Sequence, residues 1–368
     1  MNIEKKSIAI LIPDLRFGGA EKVYINLSSI WLKNGYEVIF ILMNSKGEFY
    51  KKMPKKIKII SLNVKRIRQV IFPLIKVLKK EKIDVLLAAM WPLTSAAVIA
   101  WILSGKKNLL YLCDHVHLTS TCKYEINIPI FILKIALKLT YPFANGIICV
   151  SKGVKDNLCS LVKIPKKQIK VIYNPITKKN INYKFSKNLK NKLWGRNFNY
   201  KILSVGALKV QKDHKTLLKA FSLLIKDFNC KLIVVGDGYL KNDLLELIQK
   251  LKLQKNVKLV GYYSDLDIWY KTADLFVLSS RWEGFANVIV ESLQFGLPVV
   301  STNCLSGPSE ILNKGKYGSL VPISDPKKLC VAMKKSLIKK HKKSDLIKRS
   351  KYFDIEKISY EYLNYFKI

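Results

Sequence analysis

"ADLFVLSSRWEGFANVIVESLQFGLPVVST", residues 273–302, holds a complete structural unit. "ADLFVLS" is an uninterrupted apolar run, the pattern of a strand buried on both faces. "SRWEGFAN" is polar and carries a glycine, so it reads as a loop. "VIVESLQFG" is apolar at helical spacing and stops at a glycine, and "LPVVST" is again a short β-branched run. Strand, loop, helix and strand in succession make a βαβ unit, which requires a parallel sheet with helices packed on it. One oddity stands inside it. Glu283 sits in the loop, and Glu291, with seven residues between, sits in a run that otherwise reads as core.

The same alternation extends in both directions. "YKILSVG", a helix over 215–228, "CKLIVVG", a helix over 240–251 and "NVKLVG" precede the unit. Earlier still come "SIAILIP", a loop over 14–19, and a helix with Val23, Leu27, Ile30 and Trp31 at core spacing. Asn34-Gly35 stops that helix, and "YEVIFILM", "IDVLLAAM", "NLLYLC", "GIICVS" and "KVIYNP" continue the series. Residues 180–199 are polar and aperiodic, a linker region. The expected architecture is α/β, with two doubly wound Rossmann-like domains over 1–179 and 200–348. The aromatic-sided segment 349–368 is expected to form a helix packing back toward the N-terminal domain.

At 368 residues and 49% hydrophobic composition, each half can bury its own core. Lys and Arg outnumber Asp and Glu by 65 to 26, a net charge of +39. An anionic partner and a lysine-rich genome both account for that excess. It is unevenly placed. Residues 51–82 carry twelve basic side chains against Glu81, and residues 327–351 carry eleven against Asp345. Within the first block Ile67, Val70, Ile71, Leu74, Ile75 and Leu78 fall at helical spacing around Pro73. A basic amphipathic helix is a membrane-surface candidate, and a helix docked on the core with a basic outer face is the competing reading. The seven cysteines form no CxxC pair and no cleavable signal opens the chain, so a reduced cytosolic compartment is expected. The 21 uncharged residues at 85–105 read as a buried strand followed by a helix opening at Pro92, rather than as a membrane span.

Ligands of open α/β sheets bind beyond the carboxyl ends of strands, so chemistry is sought in the loops there. "PDLRFGGAEK" brings Gly18 and Gly19 to a helix start, where bare amides can meet an anion. "VGALKVQKDHK" sets Lys209 and Lys212 between strand and helix, placed to countercharge a diphosphate. "VVGDG" offers backbone approach at Gly236. Gly284, Phe285, Ala286 and Asn287 precede the apolar helix, a helix N-terminus suited to phosphate. Glu291 lies a turn inside it, where a buried carboxylate needs a hydrogen-bond donor, either a sugar hydroxyl or a protein group. "CDHVHLTSTC" groups Cys113, His115, His117 and Cys122, but the spacing fits no zinc finger, and the two histidines would share one strand face.

These motifs, in this order, resemble glycosyltransferase family 4, retaining enzymes of GT-B fold. "EGFANVIVE", "GLPVVSTNCLSGPSEIL", "FGGAEKV", "CVSKGVKDNL", "VIYNP", "GALKVQKDHKTLLKAF" and "VVGDG" spread the likeness over nearly the whole chain. The resemblance implies two domains facing a central cleft, acceptor-side first and nucleotide-sugar-binding second. It implies that Glu283 holds donor-sugar hydroxyls and Glu291 the nucleotide ribose. Phe285, Ala286 and Asn287 would present amides to the sugar or diphosphate. Lys212, with Lys209 and the Gly18-Gly19 amides, would neutralise the diphosphate. Gly236, Gly261 and Tyr262 would flank the base, and His115 would stand near the donor sugar. One departure is plain: many relatives carry Gly-Arg-Leu where this chain has Gly206-Ala207-Leu208, which leaves the lysines with the phosphate.

The expected reaction moves a sugar, an N-acetylhexosamine being hinted at by "SGPSEI", from a UDP-linked nucleotide-sugar donor to a lipid-linked glycan acceptor. No metal motif stands in these loops, so no cofactor is expected. The enzyme is expected in the cytoplasm, peripheral at the inner face of an anionic membrane. A sugar-nucleotide epimerase of related fold is the alternative. Nucleic-acid binding is a distant one, since aromatics are not interleaved with the basic runs.

Overall fold

The computed structural model describes residues 5–16, 18–179 and 186–368. They form two compact units, Met1–Thr177 with Phe353–Ile368, and Lys178–Tyr352.

In the first unit β1 (Ser7–Ile12), β2 (Glu37–Leu42), β3 (Lys58–Ser61), β4 (Val85–Ala89), β5 (Leu109–Asp114), β6 (Gly146–Cys149) and β7 (Ile169–Val171) form a parallel sheet. Its order is β3-β2-β1-β4-β5-β6-β7. Every residue of β1 and β4 is buried, which is why both read as unbroken apolar runs. Ile8 pairs with Val38 on one side and Val85 on the other, so β1 and β4 are the strands at which the order reverses. The apolar run 85–105 resolves into β4 and the helix Leu93–Leu103, which is buried over most of its length. Among the described residues no helix is long and apolar enough to cross a membrane.

The basic block over 51–82 does not make one helix from Ile67. A single 3₁₀ turn, Ile67–Gln69, precedes the helix Ile71–Lys80, with Pro73 in its first turn, where a missing N–H costs nothing. Leu74 and Leu78 turn inward, and the helix packs against Leu93–Leu103. The chain's last helix, Ile355–Phe366, belongs to the first unit. Tyr362 and Phe366 meet Trp31 edge-on at 6.0 and 6.1 Å, and the Tyr111 hydroxyl donates to the Tyr365 carbonyl at 2.9 Å.

In the second unit β8 (Tyr200–Val205), β9 (Cys230–Val235), β10 (Val257–Leu259), β11 (Leu275–Leu278), β12 (Val299–Thr302) and β13 (Ser319–Val321) are parallel in the order β10-β9-β8-β11-β12-β13. The order reverses between β8 and β11. Residues 180–185 of the expected linker lie outside the described residues, and the remainder is not loop throughout. A helix, Lys187–Trp194, buries Trp194 in this unit, where its indole N–H donates to Thr272 Oγ1 at 2.9 Å. Residues 214–224 and 241–250 are helical, close to the spans their periodicity predicts.

Candidate active site

Adjacent strands whose order reverses send their loops apart and leave a crevice between them. In the second unit those loops are 206–213 after β8 and 279–286 after β11. They are stapled together by one side-chain and one backbone bond: Ser279 Oγ donates to the Lys212 carbonyl at 2.8 Å, and the Arg281 amide donates to the Gln211 carbonyl at 2.8 Å. Asp213, at φ +45°, caps the helix His214–Leu224 by accepting from the Thr216 amide at 3.3 Å and its hydroxyl at 2.8 Å. The cap fixes Lys212 one residue earlier.

Lys212 Nζ stands 2.6 Å from Glu283 Oε1, and Ser280 Oγ donates to the same oxygen at 2.6 Å. The two side chains are only 15% and 6% exposed, so this is a largely buried, charge-assisted bond across the crevice. The lysine stem lies along Gly206, where a Cβ would come within 3.2 Å of it. Glu283 is held through its main chain as well, since Ser306 Oγ donates to its carbonyl at 2.5 Å. Next to it Gly307, at φ +92°, approaches so closely that a Cβ would lie 2.2 Å from the Phe285 carbonyl oxygen. Ala286 adopts φ +75°, a left-handed conformation costly for a residue with a Cβ, and starts the helix Asn287–Gln294. Gly284 and Phe285 are buried beside it. The positive end of that helix dipole therefore opens beside Glu283.

Glu291 is half-buried, not in the core as its apolar neighbours suggest. Ile289, Val290, Ser292 and Leu293 take the buried positions of this helix, and Glu291 falls on its flank. Its need for a donor is met at Oε2 by the Tyr270 hydroxyl at 2.8 Å. Tyr270 is itself fixed by stacking on Phe295 at 5.8 Å.

The loops after β8, β9 and β10 share one backbone cluster. Gly236 donates its amide to the Gly261 carbonyl at 2.8 Å, and a Cβ at Gly236 would sit 2.1 Å from the Gly206 carbonyl oxygen. Tyr262, next in sequence, is exposed. Lys209 opens the 3₁₀ turn Val210–Lys212, half-buried on the approach to Lys212. Beneath them His214 is fully buried, and burial together with the Lys212 charge pushes its imidazole down to about 3, so it is neutral.

Gly18, Gly19 and His115 belong to the first unit. Gly18 precedes the helix Gly19–Lys33 in extended backbone, and the Glu21 carboxylate lies so near that a Cβ at Gly18 would come within 2.0 Å of it. Burial lifts Glu21 to about 7. The helix start that the glycine pair suggested for an anion is thus covered by the helix's own carboxylate.

His115 and His117 do not share a strand face, because β5 ends at Asp114. His117 instead caps a short helix, Leu118–Thr121, its Nδ1 accepting from the Ser120 amide at 3.3 Å. His115 Nε2 faces the Tyr24 hydroxyl at 2.6 Å and Cys113 Sγ at 3.4 Å. Burial pushes His115 down to about 4, so the ring is neutral, and its Nδ1 has no partner among the described residues. Cys113 is raised to about 12 by burial, a thiol rather than a thiolate. Among the described residues no cluster of three His, Cys, Asp or Glu could hold a metal ion. Ser280, Ser306 and Tyr270, which hold the two glutamates, and Tyr24, which holds His115, were not singled out by sequence. Tyr24 carries no signal beyond its place on a core-facing helix.

A family model described as Glycosyltransferase Family 4 matches residues 17–179, and one described as Glycosyl transferases group 1 matches residues 187–353. An N-acetylgalactosamine-N,N'-diacetylbacillosaminyl-diphospho-undecaprenol 4-alpha-N-acetylgalactosaminyltransferase of Campylobacter jejuni is 29% identical over 98% of this chain and 99% of its own length. A second Campylobacter jejuni protein, a GalNAc-alpha-(1->4)-GalNAc-alpha-(1->3)-diNAcBac-PP-undecaprenol alpha-1,4-N-acetyl-D-galactosaminyltransferase, is 26% identical over 97% of each chain. Among solved structures, Anabaena HepE in complex with UDP and glucose superposes with a TM-score of 0.81 at 21% identity, covering 97% of this chain and 98% of that one.

Proposed function

The chain belongs to the glycosyltransferases, Family 4 in its first unit and group 1 in its second, and from that premise we propose its reaction. It transfers an N-acetylhexosamine, with retention at the anomeric carbon, from a UDP-sugar to a polyprenyl-diphosphate-linked glycan. The two Campylobacter relatives, whose names print such acceptors and span nearly the whole chain, support the substrate class. The observation that carries the donor site is the Lys212–Glu283 pair in the β8/β11 crevice.

Glu283 accepts hydrogen bonds from hydroxyls of the donor sugar, and Glu291, steadied by Tyr270, from the ribose. Lys212 turns to the diphosphate. As the bond between the anomeric carbon and the phosphate oxygen breaks, negative charge grows on that oxygen. The Lys212 ammonium, with Lys209 nearby and the positive end of the helix Asn287–Gln294, is already in place to meet it. The acceptor hydroxyl attacks from the face the diphosphate leaves and passes its proton to the departing oxygen. One such preorganised contact contributes about 2.7–4 kcal/mol to the transition state. His115, neutral and with Nδ1 open, suits a sugar hydroxyl better than a phosphate.

The test is a panel of UDP- and GDP-sugars with a polyprenyl-linked acceptor, read as nucleotide release and as product mass. Wild type should consume a UDP-N-acetylhexosamine, and Glu283→Ala should abolish transfer with the circular-dichroism spectrum unchanged. Wild-type turnover in Glu283→Ala would overturn the assignment.

A further inference from the structure

The helix Ile130–Thr140 lies on the surface of the first unit with apolar side chains on both of its faces. Leu133 and Leu137 are buried. On the opposite side Phe131, Ile135 and Leu139 recur every four residues and are 64%, 54% and 65% exposed, with Ile132 beside them at 45%. An ordinary surface helix turns polar residues outward, and one that is apolar nearly all round belongs under a cover. The stripe also extends past the helix. Phe143 is exposed beyond its end, and the helix Leu93–Leu103, which packs beside it, adds exposed Leu103. Lys106 ties these together, its Nζ 5.6 Å from the Trp101 ring and 5.7 Å from the Phe143 ring.

The charge around the patch is mostly basic. Residues 115–150 carry Lys123, Lys134 and Lys138 against one acid, Glu125. Lys134 and Lys138 project between the buried and the exposed apolar faces of the helix. We propose that this face docks the enzyme on an anionic phospholipid bilayer. Phe131, Ile135 and Leu139 enter the headgroup–acyl boundary while Lys134, Lys138 and Lys123 meet lipid phosphates. A second copy of the chain is the poorer occupant, because it would set the same lysines against each other in a protein of net charge +39. The basic block over 51–82, which the sequence offered as a candidate for this role, lacks such a stripe. Its helix buries Leu74 and Leu78, and Phe72 is its single large exposed apolar residue.

The inference rests on the proposed reading in one respect, that the acceptor lies in a membrane, and its test reads vesicle binding separately from turnover. The full chain is sedimented with phosphatidylcholine vesicles and with vesicles of equal phosphatidylcholine and phosphatidylglycerol. Wild type should partition to the mixed vesicles and weaken with added salt. Phe131→Ser/Ile135→Ser/Leu139→Ser should lower the partition coefficient by roughly a hundredfold, given the apolar area withdrawn. Lys134→Glu/Lys138→Glu should lower it by about tenfold or more. A wild-type circular-dichroism spectrum and an unchanged melting transition of the first unit report that both variants are folded. Retained binding in the triple variant overturns the proposal. So does a loss of equal size in Lys65→Glu/Arg66→Glu/Arg68→Glu with the triple variant unaffected, and so does a wild-type dimer that the triple variant dissolves while neither binds vesicles. Loss of vesicle binding in an enzyme that still transfers sugar to a detergent-soluble acceptor separates the docking face from the reaction.

Discussion

Replacing Lys212 by alanine tests the site's electrostatics on two axes at once. In wild type Glu283 Oε1 receives the ammonium at 2.6 Å and the Ser280 hydroxyl at 2.6 Å, and the carboxylate is 6% exposed. Alanine leaves that charge buried with a hydroxyl as its remaining short contact. Removing one partner of a buried ion pair costs about 3–5 kcal/mol, and with Ser280 retained the lower end applies. For a unit of this size each kcal/mol moves the midpoint by roughly 2–4 °C, so the second unit should melt about 6–12 °C lower. Turnover of the UDP-sugar should fall about 10²–10³-fold, the loss expected for one preorganised contact on a developing oxyanion.

The double variant Lys212→Met/Glu283→Gln separates the two effects. It removes both charges at similar volume, and paired neutral replacement of a buried ion pair is often near neutral for stability. Its melting temperature should return to within about 4 °C of wild type, since the residual loss is then about 1 kcal/mol. Its turnover should be no higher than that of Lys212→Ala, because the diphosphate still lacks its cation and the donor sugar now lacks its carboxylate. Scanning calorimetry and a UDP-release assay on the same preparations give both numbers. An alanine variant that melts and turns over as wild type would refute the pairing and the role together. Recovery of turnover in the double variant would overturn the roles of both Lys212 and Glu283.

Gly307→Ala places a Cβ 2.2 Å from the Phe285 carbonyl at φ +92°, so the 283–286 loop must shift. UDP affinity by titration calorimetry should fall by about tenfold or more while the far-ultraviolet spectrum is retained. Tyr24→Phe removes the 2.6 Å bond to His115 Nε2, and kcat should drop about tenfold with KM little changed, the worth of one hydrogen bond. For pH, the His115 imidazole should stay neutral by side-chain NMR down to about 4. The unfolded chain protonates that ring near 6.5, so its contribution to stability falls as pH drops from 6.5 to 4. Asp114 runs the other way: burial holds its native proton up to about 7 while the unfolded carboxyl releases near 3.8, so its contribution falls as pH rises through that window. The two slopes offset, and Asp114→Asn should expose the histidine slope of about 1.4 kcal/mol per pH unit in melting scans between pH 6.5 and 4.5. Curves parallel to wild type would contradict the pair of assignments.

The strands were legible because a parallel sheet covered on both faces needs continuous apolar runs, as in "SIAILI" and "VLLAA". The loops that carry charge were legible for the complementary reason, since polar residues and glycines interrupt those runs at strand ends. Three things were not. Lys212 and Glu283 lie 71 positions apart, and only the adjacency of β8 and β11 joins them. Glu291 looked buried because its neighbours are apolar, whereas a helix flank places one side chain in three or four at a rim whatever surrounds it in sequence. The cover of Glu21 over Gly18 depends on a rotamer, which no residue pattern encodes.

The ion pair also explains how the proposed donor site can keep both of its charges satisfied before a donor arrives. A lone ammonium and a lone carboxylate at this burial would each carry several kcal/mol of desolvation cost. Each therefore serves as the other's ligand: on the proposed reading, sugar hydroxyls would donate to the carboxylate, and a phosphate oxygen would accept from the ammonium. When a nucleotide-sugar enters, neither group loses a partner without gaining one of the right kind, hydroxyls for Glu283 and pyrophosphate for Lys212. Exchange of this sort keeps the barrier to entry low, whereas an unpaired site would have to bind water or change protonation first. It also makes binding mutual, because a ligand supplying only one half leaves the other group buried without its partner. Free UDP offers phosphate to Lys212 and strands Glu283, and a free sugar does the reverse. The intact UDP-sugar should accordingly bind more tightly than the sum of its halves predicts, and in Lys212→Met/Glu283→Gln that surplus should vanish, read by calorimetry on UDP, the sugar and the conjugate.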